Sequence, residues 1–322
     1  MTTTTLRPPF DPELDAVYTV FSTQTPLVMT LDALPAAREA GVFVDVSDEV
    51  LAGYGVTRRD LTIPGYEGAE LTASVFARAD HTGTGPGIFH IHGGGMVAGE
   101  RMVGIPQVLP WIADHDAVVV TVDYRLAPEF PDPYPVEDCY AGLVWTAEHA
   151  AELGIDPSRL LIAGASAGGG LSAGTALLAR DRQGPALIGQ VLTCPMLDDR
   201  DQTTSTVQYD DDGSWVRESN LMGWTALLGD RRGTDEVSIY ASPARATDLS
   251  GLPPAFIEVG SAEVFRDEDV AYATGLWAAG VQAELHVWAG GFHGFDMIAP
   301  HAAVSQAAVA ARENWIARLI GA

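Results

Sequence analysis

The stretch Leu160-Leu161-Ile162-Ala163-Gly164-Ala165-Ser166-Ala167-Gly168-Gly169-Gly170-Leu171 decides how this chain is read. A short apolar run passes through five small residues into an Ala/Leu-rich segment that continues to Arg180. The run reads as a strand and the segment as a helix, so Ser166 occupies the turn between them. Small residues on either side of it permit a tight, strained backbone that pushes the hydroxyl outward. The following helix directs the positive end of its dipole at the same point. A Gly-x-Ser-x-Gly match alone is weak evidence, because a Gly-rich packing turn carries an incidental serine readily; the strand-to-helix context gives it weight.

The same alternation extends outward. From about residue 60, β-branched runs that predict strands lie at Asp60 to Pro64, Leu71 to Ala77, Gly87 to His92, Ala117 to Asp123, Leu160 to Gly164, Gly189 to Thr193, Ala255 to Gly260 and Ala283 to Trp288. Helices are expected between them at Pro106 to Asp114, Val136 to Leu153, Ala167 to Arg182, Asp267 to Ala279 and His301 to Leu319, with Ile155-Asp156-Pro157 read as turn chemistry. Inner runs such as Ala117-Val118-Val119-Val120-Thr121-Val122 are apolar on both faces, so the expected sheet is mostly parallel, eight-stranded and covered by helices on both sides. Residues 1–55 and about 197–240 fit the alternation poorly. They read as two parts of a helical cap over a catalytic α/β domain spanning 56–322, at the carboxyl ends of the strands where ligands bind.

Two further segments supply the chemistry that a serine needs. His92-Gly93-Gly94-Gly95 follows the strand Ile88-Phe89-His90-Ile91, and its glycines let backbone N–H groups approach a reacting carbonyl as an oxyanion cradle. His92 reads as a clamp on that loop, and the His90/His92 pair lacks the third ligand that would suggest a metal. A hydroxyl is a weak nucleophile near neutral pH and needs a base. Of eight histidines, His293 is the best placed, in the Gly-rich loop Gly290-Gly291-Phe292-His293-Gly294 beyond the last strand, whereas His149 falls in a helix and His286 within a strand. The imidazole needs a carboxylate to fix its tautomer. Glu263 is nearest the end of the preceding strand; Asp267 and Glu268 suit the first turn of a helix, and Asp296 lies close to the histidine.

Composition narrows the partners. The chain has 322 residues, 47% of them hydrophobic, enough for a well-buried core. Its net charge of −25 arises from 43 acids against 18 bases, every base an arginine, which disfavours nucleic acid and anionic membranes. No apolar run approaches the ~20 residues of a membrane helix. Met1-Thr2-Thr3-Thr4-Thr5-Leu6-Arg7 lacks the apolar core of a signal peptide, so a cytoplasmic location is expected. Cys139 and Cys194 have no disulfide or metal-ligand spacing and are expected to be buried.

The order Ser166, acid, His293 is that of the α/β-hydrolase fold. The chain resembles the hormone-sensitive lipase-like family of α/β-hydrolase carboxylesterases over roughly residues 60 to 320. The resemblance rests on His92 to Gly95, Asp123-Tyr124-Arg125-Leu126-Ala127-Pro128-Glu129, Gly164 to Gly169, Ser242-Pro243, Leu249 to Pro254 and Phe292-His293-Gly294-Phe295. It implies hydrolysis of short- to medium-chain acyl esters without a cofactor. It also implies oxyanion donors at the amides of Gly94, Gly95 and Ala167, with Arg125 and Glu129 available for ion pairs that hold their loop. Two departures stand out: Ala165 where many relatives carry Asp, and Glu263 where the family has its catalytic Asp, which leaves Asp267 as the alternative. Met96, Trp215, Met222 and Trp224 are candidates for an acyl or alcohol pocket, and are equally at home as cap core. Amide or formamide hydrolysis and acyl transfer are competing readings on the same residues. A non-catalytic small-molecule receptor is disfavoured by the presence of His293. Similar esterases often form homodimers, but no decisive exposed apolar helix marks such a surface here.

Overall fold

Each expected strand has its counterpart in the computed structural model, which describes residues 6–25, 28–41 and 44–321. Met1 to Thr5, on which the reading of the leader rests, and residues 26, 27, 42 and 43 of the expected cap lie outside the described residues. The strands are β1 (Val56–Pro64), β2 (Glu70–Arg78), β3 (Gly85–Ile91), β4 (Val118–Val122), β5 (Ile155–Ala165), β6 (Gly189–Thr193), β7 (Ala255–Gly260) and β8 (Ala283–Trp288). They form a single sheet in the order β1-β2-β4-β3-β5-β6-β7-β8, antiparallel at β1/β2 and β2/β4 and parallel from β4 to β8.

Described helices are α1 (Pro12–Gln24), α2 (Leu34–Ala40), α3 (Asp48–Gly53), α4 (Ile105–His115), α5 (Tyr134–Glu148), α6 (Ala150–Leu153), α7 (Ala167–Asp181), α8 (Thr204–Gln208), α9 (Arg217–Leu228), α10 (Arg266–Ala278), α11 (Phe295–Ile298) and α12 (Ala303–Ile320). Two local expectations change. The stretch from Val136 to Leu153 is two helices, broken at His149, whose Nδ1 lies 2.9 Å from the Trp145 carbonyl oxygen while its ring stacks on Trp145. Ile155-Asp156-Pro157 belongs to β5, because Ile155 pairs with Gly85 ahead of a register shift; the local turn chemistry survives as the Asp156 carboxylate accepting from the Ser158 amide at 2.9 Å.

Period-two alternation divides the central strands between two cores. Val119, Leu161, Val191 and Phe256 pack with Val108 and Ile112 of α4 and Ile316 of α12. Their neighbours Phe89, Val120 and Ile162 pack with Val136 and Leu143 of α5 and Leu171 of α7, and Leu192 and Ile257 pack with Leu177 of α7 and Leu276 of α10. Each such side chain removed from water contributes ~1.5–3 kcal/mol, which is why uninterrupted Val/Leu/Ile runs become central strands.

The N-terminal segment is fastened mainly at the carboxyl ends of these strands. Leu14 and Tyr18 of α1 pack with Phe292 and Phe295, and the Asp11 amide donates to the Gly290 carbonyl at 3.0 Å. Arg38 of α2 donates to the carbonyls of Val97 and Ala127 and forms a two-pronged pair with Glu129. Leu51 of α3 packs instead with Val56 and Ile105 in the α4/α12 core.

Helix α7 starts so close to β3 that a Cβ on Gly168 would lie 2.1 Å from the Ile91 carbonyl oxygen. An alanine inside a helix normally gains ~1 kcal/mol over glycine. Here the overpacking outweighs that gain, so Gly168→Ala is expected to destabilise the protein by about 1–3 kcal/mol or more in urea unfolding. Gly53→Ala, where no atom lies within 4 Å, should be neutral or stabilising.

Candidate active site

Strand β5 delivers Ser166 to the first turn of α7 with φ 58° and ψ −125°, the sharp turn expected of the motif. Three backbone hydrogen bonds hold that geometry: the Ser166 amide donates to the Thr193 carbonyl at 2.9 Å, and its own carbonyl accepts from Met196 at 2.9 Å and Gly170 at 3.0 Å. The side chain is left to point away from the sheet backbone. Its Oγ lies 3.0 Å from His293 Nε2.

His293 sits between β8 and α11 in a loop fixed from several sides. Its carbonyl accepts from the Ser214 hydroxyl, and its ring meets Phe265 edge-on at 5.2 Å between centroids. Its Nδ1 lies 2.6 Å from Glu263 Oε2. Glu263 is only 2% exposed, and its other oxygen accepts from the Gly260 amide at 3.2 Å. The Ala262 amide donates to the Gly291 carbonyl at 2.9 Å, so the loops after β7 and β8 are tied together beside the pair.

The other acids considered from the sequence are engaged elsewhere. Asp267 accepts from the Ser205 amide at 2.8 Å and from Arg266 Nε at 2.7 Å. Glu268 accepts from the Leu197 and Asp198 amides, and burial pushes its pKa well above the usual carboxylate range. Asp296 pairs with Arg312, which also binds Glu258. Of these four acids, Glu263 is the one that meets His293.

The loop after β3 lies against Ser166: a Cβ on Gly93 would be 3.5 Å from the Ser166 Cβ. Gly94 has φ +121°, and a Cβ there would come within 2.1 Å of the Ala98 carbonyl oxygen, so the turn requires glycine. The Gly94 carbonyl accepts from Val97 and Ala98, while among the described residues no group accepts from the amides of Gly94 and Gly95. Ala167 opens α7, where an amide has no carbonyl one turn earlier to receive it. His92 is buried and its ring nitrogen lies 2.8 Å from the Gly93 carbonyl oxygen; burial lowers its pKa to about 4, which keeps it neutral near pH 7. The ring stacks on Tyr124 at 4.1 Å, and the Tyr124 hydroxyl donates to the His92 carbonyl at 3.0 Å.

Of the four pocket candidates, Trp215 joins this site. Its ring edge would be 2.7 Å from a Cβ on Gly95, and its centroid is 6.5 Å from that of His293. Met96 and Trp224 are fully buried in the core, with Met222 packed half-buried against it. The sequence reading did not assign Tyr124 to the His92 clamp or Arg38 to the Glu129 pair. An aromatic immediately after a buried strand was the available signal for Tyr124; Arg38 lies too far away in sequence to suggest its partners. Arg125 pairs with Asp138 of α5 at 2.8 Å.

A family model described as the alpha/beta hydrolase fold matches residues 88–297. The chain is 34% identical over 307 residues to the carboxylesterase NlhH of Mycobacterium tuberculosis, covering 93% of this chain and 94% of that protein. Among solved structures, a bacterial heroin esterase is 38% identical with a TM-score of 0.87, covering 97% of this chain and 98% of that one. Esterase LipW from Mycobacterium marinum is 30% identical with a TM-score of 0.86, covering 98% and 99%. No described helix is long and apolar enough to cross a membrane. On these likenesses the chain belongs to the hormone-sensitive lipase-like carboxylesterases of the α/β-hydrolase fold.

Proposed function

We propose that this esterase works through an acyl-enzyme on Ser166, with His293 as base and Glu263 as its orienting acid. The observation that carries the reading is the unbroken relay from Ser166 Oγ to His293 Nε2 at 3.0 Å and from His293 Nδ1 to Glu263 at 2.6 Å. Ser166 Oγ attacks the ester carbonyl carbon while its proton passes to His293 Nε2. Glu263 accepts from Nδ1–H throughout, which fixes the tautomer and offsets the imidazolium charge. The oxygen of the tetrahedral intermediate is bound by the amides of Gly94, Gly95 and Ala167, whose N–H groups are otherwise unused. His293 then protonates the departing alcohol, takes a proton from water as that water attacks the acyl-enzyme, and returns it to Ser166 as the acid leaves.

The substrates are small acyl esters of short to medium chain length, with Trp215 as one wall of the site. Relatives named as carboxylesterase, arylesterase and heroin esterase support this class. Helices α1 and α2 and the residues near 197–240 form the cap, joined where the Gly213 amide donates to the Tyr18 hydroxyl at 2.8 Å and the Met29 amide donates to Ser219 at 2.9 Å, while α3 packs in the α4/α12 core.

A p-nitrophenyl ester series from acetate to palmitate is the direct test. The wild type is expected to favour the shorter chains, and Ser166→Ala to lose at least about 10³-fold in turnover while remaining folded; unchanged hydrolysis in that variant overturns the mechanism. Faster turnover of matched amides than of esters, or acyl transfer to an added alcohol in preference to water, reassigns the substrate class. The acid assignment has its own test. Glu263→Gln is expected to lower kcat by about 10⁴-fold, as removal of an orienting carboxylate does elsewhere, whereas Asp267→Asn leaves it nearly unchanged; the reverse pattern moves the role to Asp267.

A further inference from the structure

Cys194 has no part in that mechanism, yet it lies beside the Glu263 and His293 pair. It follows β6 directly, and its amide donates to the Glu258 carbonyl at 2.6 Å. Its side chain is buried, and burial pushes the thiol pKa well above its ordinary value. Two narrow cavities share Thr193, Cys194, Gly294 and Asp296 in their walls; one extends past His90 and Gln107 and the other reaches Glu263. Among the described residues, the sulfur of Cys194, a carboxylate oxygen of Glu263 and a ring nitrogen of His293 all lie within 4.8 Å of one another.

A thiolate, an imidazole and a carboxylate form a donor set for a borderline-soft cation. Bonds of ~2.3 Å to sulfur and ~2.0–2.2 Å to nitrogen and oxygen put tetrahedral ligand atoms ~3.3–3.6 Å apart, so the widest pair must close by about 1 Å and, where Nδ1 is the ligand, its 2.6 Å contact with Glu263 must open by roughly as much. Magnesium and calcium prefer shells of six or more oxygens, which these three residues do not supply. We propose that Cys194, Glu263 and His293 form an inhibitory binding site for a thiophilic divalent cation such as Zn²⁺ or Cd²⁺. The proposal rests on the esterase reading above, because two of the three ligands are the base and its acid. As the metal–sulfur bond forms, the thiol proton leaves to solvent and the cation sheds water. Either the metal takes the Nε2 lone pair that would receive the Ser166 proton, or it takes Nδ1 while the proton held there moves to Nε2; in both cases the base is lost. The fourth position remains for water.

The test titrates Cd²⁺ into the wild type, Cys194→Ala and Cys194→Ser, reading ultraviolet cadmium–thiolate absorption and ester hydrolysis relative to each variant's own metal-free rate. The expected result is one cadmium per chain in the wild type, with a thiolate band and inhibition that a chelator reverses. Both variants should lose the band and require at least ~10-fold more cadmium for half-inhibition, the lower range for loss of even an outer-shell contact. Cys139, also buried, serves as the internal control for the band. No band in the wild type, a band without loss of rate in an active wild type, or inhibition undiminished in both variants overturns the site. A Cys194-dependent band on a protein that hydrolyses no ester overturns the catalytic reading instead and leaves cation binding standing.

Discussion

Ser166 can hold a left-handed backbone because β6 and α7 grip it from two sides. A non-glycine residue in such a region costs ~1–3 kcal/mol. Three backbone hydrogen bonds oppose that cost, to Thr193, from Met196 and from Gly170, each worth ~0.5–1.5 kcal/mol. The balance closes only if α7 begins hard against β3 and the chain after β6 turns back over the serine. Gly168 meets the first condition and Met196 the second. The position of the hydroxyl is thus a property of the packed sheet, and the loops carrying His293 and Glu263 are built around a fixed point.

Charge near that point is arranged sparingly for so acidic a chain. Glu258 and Asp296 share the buried Arg312. Burial pushes Glu258 upward against the pull of that arginine, and pushes Glu268 and Asp269 well above the usual carboxylate range. The carboxylate that does meet His293 is Glu263, supported by the Gly260 amide, where the longer side chain of glutamate reaches the ring from the end of β7.

The strands and the nucleophile turn were legible because each has a local cause. Apolar runs bounded by Gly and Pro specify central strands, and small residues around Ser166 specify its turn. Glu263 could be ranked above Asp267 by its place at a strand end, but only the hydrogen bonds of Asp267 to Ser205 and Arg266 show what occupies that alternative. The break at His149 escaped the helical pattern because Ala147, Glu148, Ala150 and Ala151 around it are strong helix formers. Met96 and Trp224 illustrate the opposite limit: large apolar residues near a site carry no mark that separates pocket from core, and packing alone buries Trp224 while setting the Trp215 ring beside Gly95 and His293. Arg38 was illegible for a different reason, since its partners lie 59 to 91 residues away along the chain.

That arginine changes what the N-terminal segment can be. Its guanidinium binds the Val97 carbonyl, just beyond the His92 to Gly95 loop, together with the Ala127 carbonyl and Glu129. Charge-assisted hydrogen bonds are about twice as strong as neutral ones, and here they converge on one side chain. Helix α2 is therefore riveted to the outer shell of the glycine loop rather than laid over it. A displacement of α2 would also strip the Val97 and Ala127 carbonyls of their charged partner, so the position of this helix and the order of the chain just beyond the glycine loop are mechanically joined.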